Sequence, residues 1–347
     1  MANKIKVLIV DDSALIRELL SGMLTSDTQI EVIGKAIDAY YAIDKIKKLD
    51  PDVLTLDIEM PKVNGLVFLE KLMKSSHPLP VIVISSLTEK GSESSIKALE
   101  LGAVDCVAKP KEDISNVFPA LQAEIIEKIK IAASTKEKMQ GRKRTLKSSV
   151  KKSNATFEIS TDKVIALGAS TGGVEAITAF LRKLPDKIPP VIIVQHMPER
   201  FVHFFAQRLN SYFDFEVKVA EEGDILTPNT VFIAPGGIHT IIKNKAGELT
   251  VIFQDTEPVH RVKPAVDLMF ESIADAARER VIGIILTGMG KDGAEGLLKI
   301  KKNGGYTVAQ NEDSCVVFGM PKEAVRLGAV DISADIEDIA RIISEKL

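Results

Sequence analysis

Cysteine is scarce in this chain. Cys106 and Cys315 are the two present, and they lie far apart among 347 residues. That speaks against a disulfide framework and for a reducing, cytoplasmic setting. Long apolar runs are missing as well. No segment approaches the roughly 20 apolar residues needed to cross a bilayer. The opening MANKIKVLIVDDSA has the short apolar run VLIV ending in two aspartates, which does not read as a signal peptide. Direct membrane insertion is therefore not expected. A strong charge of one sign is also lacking: the formal net charge is −3, so neither nucleic acid nor a membrane surface is implied as the principal partner. Neither half carries a tandem repeat or a low-complexity tract.

What remains is an ordinary globular composition, 45% apolar and 27% charged, on a chain longer than one core usually supports. Two domains follow. Between Lys128 and Lys152 there are ten Lys or Arg residues against one acid, Glu137, with few large apolar residues. Such a stretch buries little, and it reads as an exposed basic linker whose first part finishes a helix. Without interleaved aromatics it does not read as a nucleic-acid arm. The expected division is a domain over 1–127, a linker over 128–156 and a second domain over 157–347. On both sides short β-branched runs alternate with longer helical patterns. KVLIV, EVIGKA, DVLTLD, VIVIS and DCVAK precede the linker; KVIALG, PVIIVQ, TVFIAP, LTVIF, VIGIILT and YTVAQ follow it. Continuous apolar strands bracketed by helices imply an α/β protein with two doubly wound parallel sheets covered on both faces.

In such sheets chemistry gathers beyond the carboxyl ends of the strands. Asp11 and Asp12 follow KVLIV, Asp57 ends DVLTLD, Ser85 follows VIVI, and Lys109 follows DCVA. Converging carboxylates repel unless they neutralise or hold a cation, and a hard ion with oxygen ligands, most simply Mg²⁺, suits them. With that charge offset, Asp57 can attack a phosphoryl group and become an acyl phosphate. Read singly, Asp12 is as well explained as a helix cap near Ser13, and a strand-end aspartate as a turn residue. Four strand ends delivering compatible groups favour the joint reading.

The second domain opens with VIALGASTGGVEAI. Ser170 stands where a dinucleotide fingerprint needs glycine, and no lysine follows Gly172 or Gly173 as a P-loop requires. Gly168-Ala169-Ser170-Thr171-Gly172 does fit G-x-S-x-G, a sharp strand-to-helix turn that exposes a serine hydroxyl beside helix N–H groups. A nucleophile needs a base. His196 follows PVIIVQ at a strand end and His239 lies shortly after TVFIAP, and spacing alone does not separate them. His203 falls on a helical stretch and His260 in a loop-like one. Asp292, in the turn TGMGKDG after VIGIILT, is a candidate to orient the base, though turn chemistry alone explains an aspartate there. The chain order Ser, His, Asp differs from that of α/β-hydrolases. No zinc-ligand spacing such as H-E-x-x-H occurs.

Two resemblances sharpen this. VLIVDDSALIR, LTLDIEMPKVNGL, VIVISS and GAVDCVAKP resemble the receiver domain of two-component response regulators, over roughly 4–125. The resemblance implies a flavodoxin-like sheet and phosphorylation on Asp57. It also implies metal ligation by Asp12, Asp57 and the backbone carbonyl of Glu59 with Asp11 nearby, and a switch made of Ser85 and Lys109. Cys106 stands where many receivers have Phe or Tyr, which departs from the usual aromatic switch. ALGASTGG, VQHMPERF, IAPGGIH, LTGMGKDGAEGL and CVVFGMPKEAV resemble the catalytic domain of chemotaxis-specific protein-glutamate methylesterases, over about 160–345. That family also carries an N-terminal receiver. The resemblance implies a Rossmann-like domain, a triad of Ser170, His196 and Asp292, and an oxyanion site beside Thr171 and Met289, with no cofactor for the ester chemistry. The implied substrates are methyl-accepting chemoreceptors, which are demethylated at glutamate esters and deamidated at certain glutamines. The implied phosphoryl donor is a chemotaxis histidine kinase. The resting receiver is expected to obstruct Ser170 until Asp57 is phosphorylated. A transcriptional regulator is the weaker alternative, lacking a basic recognition helix. A catalytically silent receptor-binding adaptor is another.

Overall fold

In the computed structural model the described residues are 4–60, 64–86, 88–109, 118–141 and 162–346. They fall into two compact units, 1–147 and 148–347.

In the first unit, strands β1 (Ile5–Val10), β2 (Ile30–Ala36), β3 (Val53–Asp57), β4 (Val81–Ser85) and β5 (Asp105–Ala108) alternate with helices. These are α1 (Ala14–Thr25), α2 (Ala39–Leu49), α3 (Gly65–Met73), α4 (Glu89–Glu100) and α5 (Phe118–Ser134), followed by the short α6 (Lys136–Gly141). The parallel sheet has the order β2-β1-β3-β4-β5, the flavodoxin-like arrangement with its crevice where β1 meets β3. β3 and β4 are buried along their whole lengths because helices cover both faces. Polar side chains start the helices: Ser13 accepts from Ile16 N–H, Asp38 from Tyr40 and Tyr41, Asn64 from Leu66, and Thr88 from Gly91. The cap of α1 is thus Ser13, which leaves Asp12 exposed and free for other work.

The basic segment begins as helix. α5 continues to Ser134 with Ile129 and Ala132 fully buried, and α6 reaches Gly141. Apolar side chains at helical spacing thus sit beneath the lysines of this stretch. The rest of the expected linker, 142–156, lies outside the described residues.

The second unit follows the order β6 (Val164–Ala169), α7 (Gly173–Leu181), β7 (Val191–Gln195), α8 (Glu199–Asn210), β8 (Glu216–Val219), β9 (Thr230–Ile233), β10 (His239–Lys245) and β11 (Glu248–Gln254). It continues with α9 (Val266–Ala277), β12 (Val281–Ile285), α10 (Ala294–Lys302), β13 (Tyr306–Gln310), α11 (Met320–Arg326), β14 (Ile332–Ala334) and α12 (Ile336–Ser344). Seven parallel strands run β14-β13-β12-β6-β7-β9-β8. The chain winds one way from β6 through β7 and the other way from β12 through β13, so the switch point lies among β12, β6 and β7. The LTVIF run departs from the all-parallel expectation. It belongs to β11, which pairs antiparallel with β10 in a separate hairpin.

Candidate active site

The strand ends at the second switch point carry the groups that sequence reasoning singled out. Ala169 pairs with Gln195 in the β6–β7 ladder, so Ser170 and His196 are the next residues on two adjacent strands, about 4.8 Å apart across the sheet. His196 N–H donates to the Ala169 carbonyl at 3.1 Å. Beyond β12, the turn containing Asp292 brings its Oδ2 to 2.8 Å from His196 Nε2. Residues 96 positions apart in sequence thus meet. Ser170 begins a tight turn in which Gly173 N–H donates to the Ser170 carbonyl at 2.7 Å, and Gly172 takes φ +79° before α7 starts. A Cβ at 173 would run into Gln195 Oε1, so this turn needs its glycines.

Asp292 is buried, and its charge is met by backbone. Val266 N–H donates to Oδ2 at 2.7 Å and Asp267 N–H to Oδ1 at 3.0 Å. These are the first two N–H groups of α9, whose own cap residue, Ala265, has no side-chain acceptor. Asp292 therefore caps α9 from another part of the chain and rests at the positive end of its dipole. Burial, the largest single influence, opposes its charge. The hydrogen bond and charge of His196, with the two N–H groups, outweigh burial and hold the carboxyl below its ordinary range.

The TGMG turn adjoins the serine. A Cβ at Gly288 would collide with Met320 Sδ and lie 2.8 Å from Ser170 Cβ. Thr287, two residues beyond β12, donates its hydroxyl to the Thr171 carbonyl at 3.0 Å and accepts from Val317 N–H at 2.9 Å. Thr171 is buried and Met289 is exposed on that turn. Spacing left His196 and His239 open, and their surroundings differ. His239 is fully buried, with Nδ1 accepting from Ala265 N–H and Nε2 at 3.1 Å from the Glu257 carbonyl, so both ring nitrogens serve backbone. His203 is exposed on α8.

Sequence reasoning missed Gln195, whose Nε2 donates to the carbonyls of Ser170 at 3.0 Å and His196 at 3.1 Å, tying the Ser170 and His196 turns together. Its place as the polar last residue of an apolar strand was the available signal. It also passed over the pairing of His260 with Asp267, for which no local signal exists.

A second cluster lies at the strand ends of the first unit. Carboxylate oxygens of Asp11, Asp12 and Asp57 lie within 4.8 Å of one another. Lys109 Nζ stands 3.0 Å from Asp11 Oδ2 and 2.7 Å from Asp57 Oδ2. Apart from that lysine, the two buried oxygens have no polar partner among the described residues. Asp57 Oδ1 accepts from Glu59 N–H at 3.1 Å, and Asp11 Oδ1 from Ser13 N–H at 2.8 Å. Burial raises the pKa of Asp11; Lys109 pulls it back and neighbouring Asp57 adds to the rise. Burial also disfavours the Lys109 ammonium, yet its bonds and charges with Asp57 and Asp11 win and raise its pKa. One ammonium for three carboxylates leaves negative charge uncompensated, which fits a divalent cation with oxygen ligands. Ser85 is fully buried and donates to the Gly91 carbonyl at 3.0 Å. The Glu59 side chain turns away to accept from Ser86 Oγ at 2.8 Å. Cys106 is buried within β5, where burial pushes its thiol up to about 12 and leaves it inert.

The family model described as CheB methylesterase matches residues 165–343, and that of the response regulator receiver domain matches 7–118. A protein-glutamate methylesterase/protein-glutamine glutaminase 1 of Geobacter metallireducens is 48% identical over 344 residues, covering 97% of this chain and 94% of that one. A similarly named protein of Nitrosomonas europaea is 48% identical over 347 residues, covering 99% and 97%. The crystal structure of the Thermotoga maritima CheB methylesterase catalytic domain superposes with a TM-score of 0.52 at 36% identity, over 53% of this chain and 98% of that one.

Proposed function

The chain belongs to the CheB methylesterase family and carries a receiver domain, and from that premise we propose that it is a protein-glutamate methylesterase and protein-glutamine glutaminase controlled by phosphorylation. The observation that carries this reading is the juxtaposition of Ser170 and His196 on neighbouring strand ends, with Asp292 bonded to the imidazole. Because His196 Nε2 faces Asp292, its Nδ1 is the nitrogen left to act as base. Ser170 Oγ attacks the carbonyl carbon of a glutamyl γ-methyl ester while His196 takes the hydroxyl proton. Asp292 holds the tautomer and stabilises the imidazolium. N–H groups at the start of α7 and in the adjoining turn, beside Thr171 and Met289, face the developing oxyanion. The proton passes to the leaving methoxide, methanol departs, and water hydrolyses the acyl-serine to leave a free glutamate. With a glutamine the leaving group is ammonia and the steps are otherwise the same.

The substrates are methyl-accepting chemoreceptors, and the role is adaptation in chemotaxis. In the regulatory unit, Asp57 receives a phosphoryl group from a chemotaxis histidine kinase. Asp11, Asp12, Asp57 and the Glu59 carbonyl would hold a Mg²⁺ ion, which when bound would supply positive charge to offset the phosphoryl oxygens. Lys109 pairs with the remaining charge, and the Ser85 hydroxyl, released from Gly91, turns to the new group. Among the described residues no helix is long and apolar enough to cross a membrane. Methanol release from methylated receptor membranes tests the whole reading. Wild type should release methanol faster with a small phosphodonor. Ser170→Ala should release none while still binding receptor; release by that variant would point to another nucleophile, and no release by the wild type would leave a silent adaptor.

A further inference from the structure

Beside the triad lies a second imidazole–carboxylate pair that the reaction does not employ. Val259 and Val262 form a one-turn bridge in which Val262 N–H donates to the Val259 carbonyl at 3.0 Å. The two residues between them are both left-handed, His260 at φ 53° and Arg261 at φ 66°. Such turns favour Asn-Gly, and two consecutive ordinary residues in this conformation persist only where the surroundings hold them. The surroundings here are Asp267, whose Oδ2 lies 2.9 Å from His260 Nε2. Asp267 is buried on the first turn of α9. Its Oδ1 accepts from Gly296 N–H at 2.8 Å, in the first turn of α10. Its own backbone N–H is the donor to Asp292 Oδ1. The helices thus cap each other reciprocally: Asp292, just before α10, caps α9, and Asp267, within α9, caps α10.

We propose that His260 is a positioning residue for the hydrolase, holding Asp267 and through it the N–H frame that aims Asp292 at His196; this rests on the catalytic reading above. Oxygens of Asp267 and Asp292 and a ring nitrogen of His260 lie within 4.8 Å of one another. Two buried carboxylates this close are tolerated because each meets a helix N-terminus and each meets an imidazole. Burial foremost, and then the charge of Asp292, lift the Asp267 pKa, while the Gly296 N–H and His260 oppose that rise. With His260 removed, Asp267 loses its exposed-side partner and either takes up a proton or repels Asp292. Both disturb the carboxylate that orients the base.

The test separates kcat from KM for methanol release by the full-length, unphosphorylated chain. His260→Ala should lower kcat by about tenfold, as expected for a misaimed catalytic group, with KM unchanged. His260→Gln keeps a donor at comparable reach and should recover most of the loss. A His260→Asn/Arg261→Gly double variant gives the turn its preferred residues but no side chain long enough to reach Asp267. It should melt no lower than wild type and be as slow as His260→Ala. Normal kcat in the double variant, equal losses in the Ala and Gln variants, or a loss confined to KM would each overturn the proposal. Ser170→Ala is assayed alongside. If it is inactive while the His260 variants turn over normally, only this inference falls; if it is active, the catalytic reading falls with it.

Discussion

At the scale of single residues the two buried aspartate systems behave oppositely with pH. Asp292 has a folded pKa below its unfolded one. The stability it contributes is therefore present above the ordinary carboxylate range and lost as pH falls through the depressed folded value. Asp292→Asn should flatten the acid limb of the catalytic unit's melting profile. It should also cut kcat by about 10³–10⁴-fold, because the imidazolium loses its counter-charge and tautomer anchor. Asp11 has a raised folded pKa. The folded state binds that proton more tightly, so stability falls as pH rises from the unfolded towards the folded value. Asp11→Asn should then raise the melting temperature of the regulatory unit at neutral pH. Calorimetry should show the gain shrinking below about pH 4, where the unfolded carboxyl is protonated. A gain of the same size at acid pH would place its origin outside the carboxylate charge.

At the scale of elements, the proposed catalytic side chains sit in turns beyond the strands. Gly288→Ala places a methyl group against Met320 and Ser170. Overpacking of this kind costs about 1–3 kcal/mol, and relief by shifting the β6–α7 turn would displace Ser170, the proposed nucleophile. The expected outcome is a modest fall in melting temperature and a disproportionate fall in kcat, read by denaturation and methanol release on one preparation. The elements also show where patterning misleads. LTVIF is as apolar and β-branched as any parallel strand here, yet it pairs with His239–Lys245 across Ala246 at φ 54° and Gly247 at φ 97°. Composition reports burial and not strand direction. β8 and β14 went unread because edge strands are short and partly exposed, which blurs the apolar signal.

At the scale of the whole molecule, two chemistries share one chain, and each should be separable from the other. A chelator should abolish stimulation by phosphodonor while leaving the unphosphorylated rate of methanol release intact, since three carboxylates facing one lysine need added positive charge and the Ser170 site does not. Asp57→Asn should do the same without a chelator. A fragment of 157–347 should be insensitive to phosphodonor and faster than the resting full-length chain; equal rates would remove inhibition by the regulatory unit from the proposal.

The sequence by itself determined the class of fold and the residues standing at strand ends. Periodicity, strand termini and glycine-bearing turns are local properties of consecutive residues, and Asp11, Asp57, Ser170, His196 and Asp292 each declare themselves that way. Tertiary structure alone decided which of these meet. Strand order β12-β6-β7 sets Asp292 against His196, while His239 spends both ring nitrogens on backbone. The reciprocal capping of α9 and α10, and the His260–Asp267 pair beneath it, likewise depend on how separate helices pack. A hydrogen bond between distant segments is chosen by the packing of the chain between them, and spacing along the sequence carries no record of it.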